Sequence, residues 1–378
     1  MKTTTDVAIR EDAEEVTDWD GAVYRKLVSV ALTDQQIEWI LNPRNIFERE
    51  DSVLAVHWHP EMVPVDLVRE RIRKMFPNAQ RTLVIPTQHN EILHCNGYAG
   101  TEVDCQAKEF NRKIQLLFHI KTERLDQAHI FKAMIAHTYQ YRQRQLFEYL
   151  ETVTNPKFEA RLQKAVRATG VERDIVRFVQ IYSRKIQQLI DANSAETPMQ
   201  PLKNKLVTNY FEHLREFYPE AVIDKAVVFL LEVKRIVKRG FSPDYFYSVQ
   251  ETIEEARSVG AGIVVPHPEQ FWPVLLAEYD VDGIEVWNPQ SREFTEFLIH
   301  VVVRSNKTRR RSRPLLVFMG DDTHMSEKFL APETGVADKI AREVGYQPAW
   351  QEMGVRKILK MGDFDRIRVI EEYENRLQ

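Results

Sequence analysis

The sequence predicts an α/β fold in which a β/α domain is interrupted by a long helical segment. Short apolar runs alternate with helical stretches from Ser52 to about residue 122, and this alternation resumes after about residue 240. Between these blocks, apolar residues recur at helical spacing and strand-like alternation is missing. Because the order strand, helix, strand is typical of parallel β/α units, we expect the two outer blocks to form one sheet-containing domain.

The composition is that of a soluble globular protein. The chain has 378 residues, which allows one large domain with an insertion, or two or three ordinary domains. Hydrophobic residues make up 43%, charged residues 29%, and the net charge is -4. No global basic excess indicates nucleic acid, so any anion site is expected to be local.

Several classes of protein are excluded by what the chain contains. The longest apolar runs, AVVFLLEV and LIHVVV, fall short of the roughly 20 residues that span a bilayer, so we expect no membrane contact. No GxGxxG or GxxxxGK[ST] motif is present, which argues against a dinucleotide fold or a P-loop. Only Cys95 and Cys105 occur, and the opening MKTTTDVAIREDAEE is polar and acidic, so we expect a reducing, cytoplasmic setting.

The elements follow in four predicted segments. An acidic start leads into a helix around Thr33 to Leu41, where Thr33 or Asp34 is a suitable cap. The next block alternates strands such as SVLAVHWH, RTLVIPTQHN and KIQLLFHI with helical stretches. The predicted segments are a helical N-terminal extension (1–50), a first part of the β/α domain (51–122), a helical insertion (123–240) and a second part with C-terminal helices (241–378).

The stretch SVLAVHWHPEM ends an apolar strand with two histidines one residue apart. Side chains two apart on a strand point to the same face, so His57 and His59 stand together while Trp58 points away. Two imidazoles on one face are either half of a metal site or a surface pair.

Other strand ends also carry residues that bind metals. Parallel β/α folds place their sites at the C-terminal ends of strands. A single histidine there is more often a hydrogen-bonded structural residue, but joint placement favours a multinuclear metal site. Glu102, in GTEVD, could bridge two ions because a carboxylate has two oxygens. The strand-end candidates are His57, His59, His89, His119, His267, Asp322 and His324.

The motifs AVHWHPE, TQHNEI, GTEVD, VVPHPEQF, DGIEVWNP and MGDDTHM resemble, in order, those of the PHP (polymerase and histidinol phosphatase) superfamily. The resemblance covers roughly residues 52–122 and 250–326. The position of the helical insertion resembles that in the branch of nucleoside bisphosphatases and exoribonucleases. The resemblance implies a distorted (β/α)7 PHP-type barrel interrupted by a helical insertion, and a metal-dependent phosphoesterase that uses two or three divalent ions of manganese, zinc or iron.

The resemblance also implies a ligand set. One ion would be held by His57, His59, Glu102 and Asp322, a second by Glu102, His119 and His267, and a third would involve His89 and His324. The chain departs from the family pattern at three places. In PEMVP only Glu61 could replace the usual acid, Gln88 stands where the turn acid is expected, and Asp321 precedes Asp322.

The predicted reaction is hydrolysis of a phosphate ester in a phosphomonoester, nucleotide or oligonucleotide. Clustered divalent ions lower the pKa of water and neutralise phosphate oxygens. Mixed histidine and carboxylate ligands suit zinc, manganese or iron better than magnesium. Catalytic roles are expected for Asp322 and for His267 or His324, either of which could protonate the leaving oxygen if it is free of metal.

Two basic stretches raise the alternative of nucleic-acid binding. The run RSNKTRRRSR, from Arg304 to Arg313, has six cations and no acid, and is either a solvated loop or a phosphate contact. The stretch YQYRQRQLFEYL is either a helix packed on the barrel or a surface on which single-stranded nucleic acid stacks. The alternative function is therefore a nucleic-acid- or partner-binding protein with a degenerate PHP-like barrel. Hydrolysis of a carbon–nitrogen bond is a third hypothesis, but the chain offers no obvious lysine for carboxylation.

Overall fold

A computed structural model describes residues 9–10, 13–308, 313–330 and 336–378. The chain divides into two compact units. The helical unit consists of Met1–Ala31 and Gln140–Ser242, and the sheet unit consists of Leu32–Tyr139 and Pro243–Gln378. These boundaries differ from the predicted ones at two places. Residues 123–139 belong to the sheet unit, and the predicted N-terminal extension (1–50) is shared between the two units, with the boundary after Ala31.

The α-helices of the described residues are α1 (Asp18–Val28), α2 (Asp34–Leu41), α3 (Val65–Met75), α4 (His129–Tyr139), α5 (Tyr141–Thr154), α6 (Glu159–Thr169), α7 (Arg173–Ala192), α8 (Lys205–His213), α9 (Glu220–Gly240), α10 (Val249–Ser258), α11 (Thr295–Thr308), α12 (Met325–Phe329), α13 (Ala337–Ile340), α14 (Met353–Met361) and α15 (Arg366–Arg376). The strands are β1 (Ser52–Ala55), β2 (Trp58–His59), β3 (Arg81–Val84), β4 (Leu93–Cys95), β5 (Tyr98–Ala107), β6 (Arg112–Lys121), β7 (Gly262–Val265), β8 (Gly283–Trp287), β9 (Leu316–Met319) and β10 (Thr323–His324). None of these helices is long and apolar enough to cross a lipid bilayer.

The helical unit has its own core, in which α7 buries an apolar stripe at helical spacing. Ile175, Phe178 and Val179 are fully buried there, as the spacing predicts. In α5, Leu146 and Tyr149 are buried in the same core. The apolar face of YQYRQRQLFEYL is therefore used for packing.

The sheet unit contains three sets of paired strands. β1 pairs with β3 and β2 pairs with β10, both parallel. The largest sheet has the order β4-β5-β6-β7-β8-β9. Its strands are antiparallel from β4 to β7 and parallel from β7 to β9.

The mixed α/β class is confirmed, but the expectation of purely parallel β/α units is wrong for β5 and β6. These strands are joined by only four residues, 108–111, where Asn111 adopts a left-handed backbone with φ of 48°. Such a short connection permits only an antiparallel hairpin, because a parallel pair needs a long crossover. No closed barrel forms among the paired strands of the described residues, so the barrel stays a prediction.

The basic run before β9 is only partly within the described residues. Arg304 and Lys307 lie in the last turns of α11. Arg309, Arg310 and Arg311 lie outside the described residues. A nucleic-acid contact through Arg304 to Arg313 therefore stays a prediction.

Candidate metal centre

The register of two short strands brings the first and last predicted motifs together. β2 pairs in parallel with β10, with Trp58 opposite Thr323 and His59 opposite His324. Because paired residues on neighbouring strands share a face, the rings of His59 and His324 stack with centroids 4.3 Å apart. His57 and His59 are almost completely buried, with 1% and 0% exposure. The pair is therefore not a surface feature.

Glu102 is placed beside the histidines by backbone pairing. An isolated parallel bridge joins His89 to Glu102, and the Glu102 amide donates to the carbonyl of Gln88 at 3.0 Å. Glu102 is fully buried. Its Oε1 lies 3.2 Å from His267 Nε2 and 4.0 Å from His57 Nε2, and its Oε2 contacts His89 Nδ1.

Asp322 is the second carboxylate of the site. Its Oδ1 lies 3.3 Å from His59 Nε2, 3.4 Å from His324 Nε2 and 3.6 Å from His57 Nε2. Its φ of 47° falls in the left-handed region, and that of His267 is 28°. Such backbone strain in non-glycine residues is often found where a side chain must be aimed at a functional site.

We refer to seven residues as the histidine–carboxylate cluster: His57, His59, His89, Glu102, His267, Asp322 and His324. Donor atoms of His57, His59 and Glu102 all lie within 4.8 Å of one another, as do those of His59, His89 and His324. Seven of the eight predicted metal residues are thus brought together, and the exception is His119.

The donor set fits divalent metal ions. Ligands bound at about 2.0–2.2 Å around one ion are separated from each other by roughly 3.0–3.6 Å, which is the range of the Asp322 contacts. Nε2 of His57 and Nε2 of His59 are buried and have no hydrogen-bond partner among the described residues. A buried polar atom without a partner is costly, and a cation would satisfy both nitrogens. Imidazole with carboxylate suits zinc, manganese or iron.

Glu285 fixes the orientation of His57, and the sequence analysis did not identify it. Its Oε2 lies 2.5 Å from His57 Nδ1, while its Oε1 accepts hydrogen bonds from the His267 amide and from Asn288 Nδ2. A carboxylate bound to Nδ1 leaves Nε2 of the same ring for a metal. The available signal was an acidic residue inside the fully buried strand β8, within DGIEVWNP.

The ionisation of the cluster follows from its geometry. Burial opposes a charge on His57, but Glu285, together with Asp322 and Glu102, raises its pKa to about 10. Burial, reinforced by the neighbouring His89 and His324, lowers the pKa of His59 well below its ordinary value. Burial also opposes ionisation of the two carboxyl groups, yet the surrounding histidines hold the pKa of Glu102 and of Asp322 well below the usual range. Both carboxylates are therefore charged at neutral pH.

Glu61, from the divergent PEMVP segment, contacts His324. Its Oε1 lies 3.4 Å from His324 Nδ1, and its Oε2 accepts a hydrogen bond from the Ser326 amide at 3.1 Å. Burial opposes the charge on His324, but Asp322 and Glu61 raise its pKa to about 9. The side-chain oxygen of Gln88 accepts a hydrogen bond from the Glu61 amide at 3.2 Å. Glu61 therefore orients a histidine of the cluster.

Asp321 and Asp322 are neighbours with different surroundings. Asp321 turns towards backbone amides, and accepts hydrogen bonds from Gly345 at 2.9 Å and from Thr323 at 3.1 Å. Burial raises the pKa of Asp321 to about 6. Asp322 is the acid that lies in the cluster.

The placement of His119 departs from the prediction. β6 runs antiparallel to β7, and His119 pairs with Gly262 at the start of β7, whereas His267 follows the end of that strand. Its Nε2 lies 2.9 Å from the Val56 carbonyl, and its Nδ1 lies 2.6 Å from the Tyr373 hydroxyl. Burial lowers the pKa of His119 to about 3. Both ring nitrogens of His119 are therefore engaged by protein groups in this structure.

Two further side chains contact Asp322 and were not predicted. Arg342 donates from Nη1 to the Asp322 carbonyl at 2.9 Å and to Oδ2 at 3.2 Å. Gln290 donates from Nε2 to the same Oδ2 at 3.2 Å. Arg342 is 8% exposed. No local pattern marks either residue, because both contacts depend on the path of the chain after the strands.

Comparison with known proteins finds similarity to solved structures. No family model and no curated protein matches the chain. Among solved structures, the chain is similar to one described as a "putative metal-dependent phosphoesterase" from Bifidobacterium adolescentis, at 15% sequence identity and a TM-score of 0.38. The similarity covers 86% of this chain and 99% of that one.

Proposed function

We propose that the protein is a metal-dependent phosphoesterase of the PHP type that uses the histidine–carboxylate cluster as its catalytic centre. One observation carries the proposal: two ionised carboxylates, the buried Glu102 and the partly exposed Asp322, lie among five histidines, with donor atoms about as far apart as the ligands of a shared ion. Glu102 has an oxygen directed at each of two groups of histidines. This arrangement supports a bridging role between ions.

We also propose that the strands of the sheet unit enclose a distorted barrel. β1 and β9 are not paired, but the Gln347 side chain donates from Nε2 to Leu54 of β1 and to Met319 of β9. The bridge between His89 and Glu102 joins the segment after β3 to β5. Both contacts supply hydrogen bonds between parts of the proposed barrel that are not joined by regular strand pairing.

The residue roles are proposed as follows. His57, His59, Glu102 and Asp322 would hold one ion, Glu102 and His267 a second, and His89 and His324 a third. Divalent ions bound there would supply positive charge against the phosphate oxygens and lower the pKa of an attacking water. Glu285 holds Nε2 of His57 towards the ions through its contact with Nδ1. His267 or His324, whichever is free of metal, would protonate the leaving oxygen.

The position of Arg342 beside the cluster favours an anionic substrate. Its guanidinium is permanently charged and lies against Asp322, whose other oxygen is directed at the histidines. Within the described residues, it makes side-chain contacts only through Nη1. The remaining N–H groups match the oxygens of a phosphate group, which favours a phosphomonoester or nucleotide as substrate.

The test is phosphate release with manganese, using phosphomonoesters, nucleoside bisphosphates and short oligonucleotides. His57→Ala and Asp322→Ala should each abolish metal-dependent release, because each removes a ligand of the proposed first ion. His300→Ala is the matched control, because His300 is an exposed histidine of α11. Wild-type-like release by either cluster variant would overturn the proposal.

Elemental analysis separates the enzyme from the alternative, a binding protein with a degenerate barrel. Two or three transition-metal ions per chain after metal-replete expression support the enzyme. A metal-free chain under the same conditions would favour the binding protein.

A further inference from the structure

We propose that the sheet unit has a second anion site, separate from the histidine–carboxylate cluster, that binds a small phosphorylated molecule. The site is a pocket of about 320 Å³. It is formed by the residues before β1, by α14 and by the start of α15. The inference does not depend on the proposed catalytic function.

The pocket and the cluster lie at opposite ends of β1. Ser52, the first residue of β1, lines the pocket, whereas His57 and His59 follow the last. Five residues of extended chain span roughly 17 Å. A molecule in the pocket would therefore not contact the cluster, and the pocket is not a continuation of the proposed active site.

The lining of the pocket is cationic. It includes four basic side chains and two acidic ones, namely Arg49, Arg356, Lys360 and Arg366, with Asp51 and Asp365. One acid is already in use, because Asp365 caps α15 by accepting hydrogen bonds from the amides of Ile367 and Arg368. The buried Arg366 is anchored to Ser52 Oγ at 2.9 Å and to Glu50, which holds its guanidinium at the pocket wall.

Three of the cations have no counter-charge. Within the part of the chain that the structure describes, the side chains of Arg49, Arg356 and Lys360 make no ion pair or hydrogen bond. Arg356 and Lys360 are four residues apart on α14, so they project from the same face of the helix. Like charges at this spacing destabilise a helix, and an anion between them would remove the repulsion.

The chemistry of the lining indicates the class of ligand. Guanidinium groups bind phosphate through paired N–H donors, and a lysine adds a compact charge. A volume of about 320 Å³ lies at the low end of the range for small-molecule sites, which begins at about 300 Å³. The pocket therefore suits a single phosphorylated metabolite of up to about nucleotide size.

Calorimetric titration of pyrophosphate into the chelated 378-residue chain tests the inference. Chelation prevents the probe from binding to ions in the cluster. We expect saturable binding that weakens with salt, because the contacts are ionic. The double variant Arg356→Ala/Lys360→Ala should lower affinity about tenfold or more, because it removes two charge-assisted contacts. Lys357→Ala, a neighbouring cation of α14 outside the pocket lining, should bind as wild type does.

Three results would overturn the inference. The first is the absence of saturable binding by the wild-type chain, and the second is unchanged affinity in the double variant. The third is loss of binding in His57→Ala, which would locate the anion in the cluster instead. Lys360→Glu provides a second pocket variant and should abolish binding by charge reversal. Since all titrations use metal-free protein, failure of the phosphoesterase proposal would not alter the outcome.

Discussion

Asp20 of the helical unit and the histidine–carboxylate cluster of the sheet unit both contain buried ionisable groups, but they differ in how far their polar atoms are satisfied by hydrogen bonds. In the helical unit, Asp20 accepts hydrogen bonds from Lys185 at 2.8 Å, from Tyr210, and from the Thr17 amide. In the sheet unit, His57 and His59 keep buried Nε2 atoms for which the described residues provide no hydrogen-bond partner. A satisfied buried charge has a structural role, whereas unsatisfied atoms that converge on two carboxylates indicate a ligand.

The largest effect is expected from Asp20→Ala in the helical unit. The substitution leaves Lys185 buried without its partner, and breaking a buried pair costs about 3–5 kcal/mol. Chemical denaturation should show this loss in the free energy of unfolding, with or without metal. Asp18→Ala, an exposed acid of the same helix, should change stability by less than about 1 kcal/mol. Near-wild-type stability of the Asp20 variant would mean that the pair contributes little.

The same pair predicts an acid dependence. Burial opposes ionisation of Asp20, but Lys185 and Tyr210 lower its pKa below the ordinary value of an aspartate. A carboxyl group whose pKa is depressed on folding stabilises the protein above its unfolded pKa, and this stabilisation is lost as the pH falls through its folded pKa. Asp20→Asn should therefore reduce the loss of stability below about pH 4, measured by denaturation at each pH. An unchanged acid slope would contradict the assignment.

Metal removal should affect the sheet unit by a comparable amount. Ions that bind only the folded state stabilise it by about 4 kcal/mol when their concentration is a thousand times the dissociation constant. Melting with and without a chelator measures the difference. Asp322→Asn should show a smaller difference between the two conditions, because it loses a ligand of the proposed first ion. If the melting temperature of the wild-type chain does not change with the chelator, the unsatisfied atoms of the cluster would not indicate a metal site, and the contrast with Asp20 would be lost.

Glu285→Gln should have a smaller effect on the same site. Residues that orient a metal-binding histidine typically alter metal affinity by about 10–100-fold. Competition with a chromophoric chelator measures this affinity in the variant. Glu343→Gln is a suitable control, since Glu343 is a buried acid paired with Arg71 at 2.9 Å. Equal affinities in Glu285→Gln and wild type would show that Glu285 does not act through His57.

The smallest effect is expected from Tyr373→Phe, which tests the structural role of His119. Loss of the hydroxyl contact with His119 Nδ1 should lower stability by about 1 kcal/mol. The number of ions bound per chain should not change, because His119 Nε2 remains bonded to the Val56 carbonyl. A lower number of ions per chain, measured by elemental analysis, would indicate that His119 takes part in metal binding.

Sequence reasoning located most of the cluster because its signals are local. Side-chain alternation along a strand places His57 and His59 on one face, and the strand-end rule adds His89, His267 and Asp322. The same rule does not apply to the strand that carries His119, because the rule assumes that all strands run in the same direction. The four-residue connection between β5 and β6 contained the information that this strand is reversed.

The sequence by itself determined the mixed α/β class, the helical stripe of α7 and the strand-end histidines, because these depend on short-range periodicity. The tertiary structure decided the register of β2 with β10, the contact of Glu285 with His57 and the approach of Arg342 to Asp322. His57 and Glu285 are 228 residues apart in the chain. Contacts of this kind depend on how distant segments pack, and the burial that shifts the pKa values of the cluster exists only after they have packed.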